Sequence, residues 1–136
     1  MISVTDVTVT IGDHTLLHDI TFTARAGEVT GLIGPNGAGK STMLAVLSGD
    51  LERQSGEITV AGCDPAVTAP QELARARAVM LQDVTVSFDF LVRDVVAMGR
   101  RPWHNKPQAE YDDAIIDAAL QATDTTHLAG RDISTL

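Results

Sequence analysis

Apolar side chains two apart open the chain. Val7, Val9 and Ile11 alternate with polar neighbours, the period of a strand with one covered face, and predict β structure over residues 3–11. Gly12-Asp13 signals a turn, and residues 16–24 repeat the strand character. After a turn at Ala26-Gly27-Glu28, Val29-Thr30-Gly31-Leu32-Ile33 is short and mostly apolar, the pattern of a strand buried on both faces. Beyond a glycine-rich loop at residues 34–39, Met43, Leu44, Val46 and Leu47 take helical spacing until Gly49. Ser55-Gly56 is a turn, and residues 57–60 predict another strand. Thr68-Ala69-Pro70-Gln71 reads as a helix start with Thr68 as N-cap, the helix running to about Ala76. Val79-Met80-Leu81 is a further apolar strand candidate, closed by Gln82-Asp83. Residues 92–98 predict a short helix ending at Gly99. Residues 107–122 predict an amphipathic one, with Tyr111, Ile115, Ala118 and Ala122 on one stripe. Asp112, Asp113 and Asp117 fall off that stripe and mark a solvated face rather than a metal cluster. Residues 124–129 add a last helical turn.

Composition narrows the classes. The 136 residues are 44% hydrophobic and 21% charged, an ordinary globular balance rather than a disordered one. A formal charge of −8 argues against a nucleic-acid-binding module, which needs a basic stripe. One cysteine, Cys63, excludes an internal disulfide framework and a cysteine-cluster zinc site, and fits a reducing cytosol. No apolar run approaches the roughly 18–20 residues of a membrane span, and residues 1–6 lack the basic start of a secretory signal.

The candidate chemistry lies in Gly34-Pro35-Asn36-Gly37-Ala38-Gly39-Lys40-Ser41, which satisfies G-x-x-x-x-G-K-[ST] and is extended by Thr42. Phosphates need many donors at short range, and backbone N–H groups are the most compact donors available. Glycines at 34, 37 and 39 would let the chain curl without Cβ clashes. A helix beginning near Ser41 would present its unpaired N–H groups and positive dipole end. Lys40 can reach the β- and γ-phosphates, and the Ser41 hydroxyl can take one position on Mg²⁺. The acidic net charge opposes an anionic ligand only weakly, because screening over roughly 8 Å leaves the local donors in control. Asn105-Lys106-Pro107-Gln108 superficially suggests a guanine-reading motif, but its fourth residue lacks the necessary carboxylate; it reads as a loop before a helix. A small-molecule kinase would recruit arginines such as Arg100 and Arg101 to a substrate lid.

The wording of this loop resembles the ATP-binding subunits of ABC transporters. So do Leu44, Leu47, Ser48-Gly49, Ser55-Gly56-Glu57-Ile58 and Ala61-Gly62, and upstream Leu17-His18-Asp19-Ile20-Thr21-Phe22 with Gly27-Glu28. The resemblance implies an α/β P-loop NTPase fold of ABC type, with an antiparallel β part at the N-terminus and a partial helical subdomain at the C-terminus, its sheet incomplete. It divides the chain into an ATP-binding core at 1–83 and a Q-loop region with the start of the helical subdomain at 84–136. By position, Gln82 resembles the Q-loop glutamine, which contacts Mg²⁺ or the attacking water and links the nucleotide site to the membrane partner. The implied cofactors are ATP and Mg²⁺. The implied partners are a second ATP-binding subunit, head to tail, and membrane permease subunits contacted through residues 84–101, placing the protein on the cytoplasmic face of the cell membrane. Ser87-Phe88-Asp89-Phe90 with Val92, Val95, Val96, Gly99-Arg100 and Pro102 is similar to importers of haem, ferric siderophores and cobalamin, leaning toward haem. Val92, Val95 and Val96 equally read as one buried helix face, and Arg93, Arg100 and Arg101 as a solubilising surface. An importer ATPase need not touch its cargo, so His14, His18, His104 and His127 are not expected to ligate haem.

Two departures stand out. Where the family carries an adenine-stacking aromatic near the end of the first strand, this chain has Ile11 or one of its non-aromatic neighbours, which predicts weak base selectivity. The resemblance also places the signature, the Mg²⁺-holding aspartate, the catalytic glutamate and the switch histidine after Leu136. It thereby implies hydrolysis in the complete protein, an inactive and marginally stable 136-residue chain, and an unpaired sheet edge.

Overall fold

The computed structural model describes residues 1–82 and 89–136, in two compact units, residues 1–79 and 80–136. The first unit is built on an antiparallel sheet of β1 (Ile2–Ile11), β2 (His14–Ala24) and β3 (Ser55–Val60), with β1 in the centre in the order β2-β1-β3. The core-facing residues of β1 are Val4, Val7 and Val9. Val4 and Val7 are three apart and could not share a face of a regular strand. A bulge reconciles them. Asp6 takes φ +51°, and the register slips between Val4 and Val7. In β2, Asp19 at φ +48° does the same for Leu17 and Ile20. Threonines fix both bulges from across the ladder. Asp6 N donates to Thr21 Oγ1 at 2.9 Å, which donates back to Asp6 Oδ1 at 3.0 Å; Asp19 N donates to Thr8 Oγ1 at 3.2 Å, which donates back to Asp19 Oδ1 at 3.3 Å.

Helix α1 (Lys40–Leu47) lays Met43 and Val46 on this sheet, completing a core with Leu17, Ile58 and Val60. The C-terminal end of α1 is polar. Buried Ser48 donates through Oγ to Ala45 O at 3.0 Å and to Asp50 Oδ2, and its own carbonyl accepts from Arg77 Nη2. Arg77 follows α2 (Pro70–Ala76), whose Leu73 is buried. The loops beside β3 are joined by a bidentate pair, with Arg53 Nη1 and Nη2 donating to Asp64 at 2.8 and 2.7 Å. The Arg53 hydrogen bond holds the Asp64 carboxyl below its usual range. A depressed folded pKa stabilises above the unfolded value of about 3.9 and loses that contribution as pH falls through the folded one. Asp64→Asn is therefore expected to lower the melting temperature at pH 7, by about 1–2 kcal/mol of stability, and to flatten its fall below about pH 4. Identical acid limbs for variant and parent would contradict this.

The second unit packs α3 (Val92–Met98) against α4 (Asp112–Ala122) around Val92, Ile116 and Leu120, with Leu128 and Ile133 from 3₁₀ turns alongside. Among the described residues no helix is long and apolar enough to cross a membrane.

Four expectations need correction. Residues 29–33 and 79–81 are not strands. Val29, Ile33 and Met80 are almost fully exposed, because an apolar run becomes a strand only when another segment supplies its ladder, and no described segment does. Helix α2 is preceded by Ala69, not capped by Thr68. Pro70 at its first position pre-sets the helical φ, and Ala69 lies extended without a side-chain cap. Residues 107–111 form a 3₁₀ turn rather than the start of α4. The buried stripe of α4 is Ile116 and Leu120, leaving Tyr111 and Ile115 exposed. Ile115 and Ile116 offer two adjacent stripes, and the packing partners select the one carrying the larger pair.

Candidate functional site

The loop of residues 34–39 joins the exposed segment 29–33 to α1. Gly39 is the N-cap of α1 at φ +82° and sits hard against β2: a Cβ there would come within 2.5 Å of Leu17 Cδ2 and 3.0 Å of Leu16 O. Only glycine meets both demands. Gly37 is also left-handed, at φ +83°. Gly34 departs from the sequence argument. Its φ is not positive, and a Cβ would meet only Ala38 Cβ at 3.4 Å, an ordinary contact, so the curl of the loop does not depend on it.

Lys40, the first residue of α1, turns its ammonium back over the loop. Nζ donates to Gly34 O at 2.8 Å and to Pro35 O at 2.7 Å, while Ala38 N donates to Pro35 O at 3.3 Å. The cation therefore clasps the loop that it follows. Met43 N donates to Gly39 O at 2.8 Å, so the amides of Lys40, Ser41 and Thr42 precede the first intrahelical bond. No acidic residue lies in the first turn of α1, leaving its positive end uncancelled. Ser41 is exposed there and Thr42 half-buried. Residues 34–42 thus bring together backbone donors, a helix N-terminus, a lysine and a hydroxyl, the chemistry of a phosphate cradle.

An apolar hollow of about 100 Å³ adjoins the loop, lined by Leu17, Phe22, Ile33 and Met43 with Lys40 at its margin. Ligand pockets run to roughly 300–1,000 Å³, so this is a packing gap beneath the cradle rather than a nucleotide cleft. Ile11 lies half-exposed at the tip of the β1–β2 hairpin, opposite His14. Gln82 belongs to the second unit, exposed on a bend. Asp83, Val84 of the segment expected to face the permease, and Ser87 and Phe88 of the importer-like segment lie outside the described residues.

Two arginines of that segment, Arg93 and Arg100, pair with aspartates of α4. Arg93 spans Asp113 and Asp117, one turn apart on α4, donating to Asp113 Oδ1 at 3.1 Å. Arg100 donates through Nε to Asp112 Oδ1 at 2.7 Å and stacks 4.1 Å over Trp103. Asp113 and Asp117 face solvent, as the sequence predicts, while Asp112 is half-buried; the i, i+4 spacing of Asp113 and Asp117 is the available sign of a shared cation. Among the described residues no three His, Cys, Asp or Glu side chains gather to hold a metal.

The ABC transporter family model matches residues 17–136. The chain is 49% identical over 121 residues to the hemin import ATP-binding protein HmuV of Nocardia farcinica, covering 89% of this chain and 42% of that protein. To HmuV of Thermobifida fusca it is 47% identical, covering 92% and 44%. To the cobalamin import ATP-binding protein BtuD of Halobacterium salinarum it is 36% identical, covering 99% and 34%. The chain therefore spans less than half the length of these relatives. Among solved structures, an ATP-binding subunit of an ABC transporter superposes with a TM-score of 0.82 at 23% identity, over 99% of this chain and 55% of that one. The fold is accordingly the α/β P-loop type of ABC cassettes, its antiparallel part formed by β1, β2 and β3. With a family match over most of its length, this chain belongs to the ABC transporter family.

Proposed function

We propose that residues 34–42 bind the triphosphate of ATP and that the protein energises import of haem or a related iron chelate. The observation that carries the nucleotide reading is the cradle itself: a left-handed Gly39 cap, uncancelled helix amides and Lys40 folded over the loop. Gly34, Pro35, Asn36, Gly37, Ala38 and Gly39 supply backbone around the phosphates, Lys40 supplies charge, and Ser41 and Thr42 supply hydroxyls. Mg²⁺ would be held by phosphate oxygens and the Ser41 hydroxyl, a neutral oxygen that suits a hard cation without a carboxylate cage. The cargo reading rests on greater identity to HmuV than to BtuD relatives. A second ATP-binding subunit and a membrane permease complete the transporter, at the cytoplasmic face of the membrane, and in the complete protein ATP is hydrolysed. Exposed apolar residues at 29–33 and 79–81 favour a second reading for the 136-residue chain alone, a nucleotide-binding piece without turnover.

Titration of the purified chain with ATP is expected to give saturable, Mg²⁺-strengthened binding without steady phosphate release. Absence of binding sinks the nucleotide reading, and steady release sinks the inactive one. Deleting the gene is expected to abolish growth on haem iron while sparing cobalamin uptake; the reverse reassigns the cargo. The half-exposed Ile11 offers the base no π-face, and Ile11→Tyr is expected to add about 1–3 kcal/mol to ATP binding while leaving inorganic tripolyphosphate unchanged. Unaltered ATP affinity would refute this account of position 11.

A further inference from the structure

Helix α1 has two ends, and the phosphate cradle uses only one. At the other, the Arg77 side chain reaches from the end of α2 to donate through Nη2 to the carbonyl of Ser48, the C-cap of α1. Its Nε is buried with no hydrogen-bond partner among the described residues. Ser48 is the one buried polar residue in the described core, and its hydroxyl is spent on Ala45 O and Asp50. Gly49, at φ +74°, closes the corner: a Cβ there would lie 3.1 Å from Pro65 O and 3.2 Å from Leu73 Cδ2. The Arg77 backbone is held as well, its N–H donating to Leu73 O at 3.1 Å.

We infer that Arg77 is a positioning residue for the phosphate cradle, acting through α1. The physical argument is leverage and charge. With only eight residues, α1 is too short to be stable from propensity alone, so its placement depends on what grips it. Met43 and Val46 grip one face. No basic residue in the last turn of α1 answers its negative end, and the Arg77 guanidinium supplies that cation from another element. The amides of residues 40–42 and the Lys40 clasp are rigidly continuous with the helix so held. Losing the grip lets the donors wander by the fraction of an ångström that a multidentate anion site does not tolerate. Leaving Nε unpaired costs stability, an expense consistent with the guanidinium being placed for Ser48 O rather than for its own full satisfaction.

This inference rests on the nucleotide reading for its binding arm and stands independently of it for its apo arm. Arg77→Met and the charge-preserving Arg77→Lys are made in the 136-residue chain. Amide hydrogen exchange without ligand is expected to speed up by about tenfold across residues 40–48 in Arg77→Met and by less in Arg77→Lys, while β1 and β2 stay protected. Mg²⁺-ATP and tripolyphosphate are expected to weaken by the same factor, about fivefold, because the change acts on the phosphates and not on the base. If Arg77→Met does not fold, Arg77→Lys carries both measurements. Unchanged exchange at residues 40–48 overturns the inference even should the parent chain bind no nucleotide. ATP weakening without tripolyphosphate weakening also overturns it, whereas failure of the parent to bind either anion would sink the nucleotide reading and not the grip.

Discussion

Replacing Gly56 with alanine is expected to bring the antiparallel sheet close to unfolding. Gly56 lies in β3 at φ +85°, facing the bulge of β1, where a Cβ would fall 2.5 Å from both Thr5 O and Asp6 O. Neither oxygen can retreat, since both belong to the backbone of the central strand. Strain of this kind, added to the left-handed backbone, costs on the order of 4 kcal/mol. A domain of this size holds only about 5–15 kcal/mol in total. Gly62 is the matched control. Its φ is +84°, but a Cβ there would meet nothing within 4 Å, so Gly62→Ala should cost only the backbone term of about 1 kcal/mol. Urea unfolding followed by circular dichroism separates the two. Equal midpoints for the alanine variants would show that the close approach to Thr5 and Asp6 does not matter.

Lys40→Met is expected to abolish nucleotide binding while leaving the fold in place. The substitution keeps the apolar stem and removes the ammonium, so both clasping bonds to Gly34 O and Pro35 O are lost along with the charge opposite the phosphates. Charge-assisted hydrogen bonds from the ammonium to phosphate oxygens would contribute about 1.5–3 kcal/mol each, so affinity should fall by roughly a hundredfold or more. Lys40→Arg should not restore it, because a planar fork cannot converge on two carbonyls that a compact ammonium reaches. The core beneath α1 is Met43 and Val46, untouched by either change, and thermal melting should move by a few degrees at most. Calorimetric titration with Mg²⁺-ATP measures the loss. Affinity within threefold of the parent would remove Lys40 from the site.

The loop-to-helix junction could be read from the chain because its geometry is local. Gly39, Lys40 and Ser41 lie within one turn of backbone, so spacing alone predicts where the loop ends and α1 begins. Strands β1, β2 and β3 and helices α1, α2 and α3 were legible for the same reason, from alternation or helical spacing bounded by Gly and Pro. The features that escaped depend on distant partners. The bulges at Asp6 and Asp19 leave a spacing of three between core residues, which defeats an alternation rule until the sheet supplies Thr21 and Thr8. Residues 29–33 carry strand composition without a ladder, and Ile116 displaced Ile115 only because α3 selects between them. The pairing of Arg93 with Asp113 and Asp117 joins residues at least 20 apart, so the i, i+4 spacing of the aspartates marks a shared cation without saying which one.

The central place of β1 also bears on the order in which the first unit folds. Its pairing with β2 closes a two-residue turn, an event of microseconds. Its pairing with β3 must bring together Ile2 and Val60, and everything between β2 and β3, including residues 34–42 and α1, lies inside that loop. Loop-closure entropy therefore sets the cradle behind the slower pairing. Mutations along β3 are expected to delay the appearance of the nucleotide site during refolding even when they spare the hairpin.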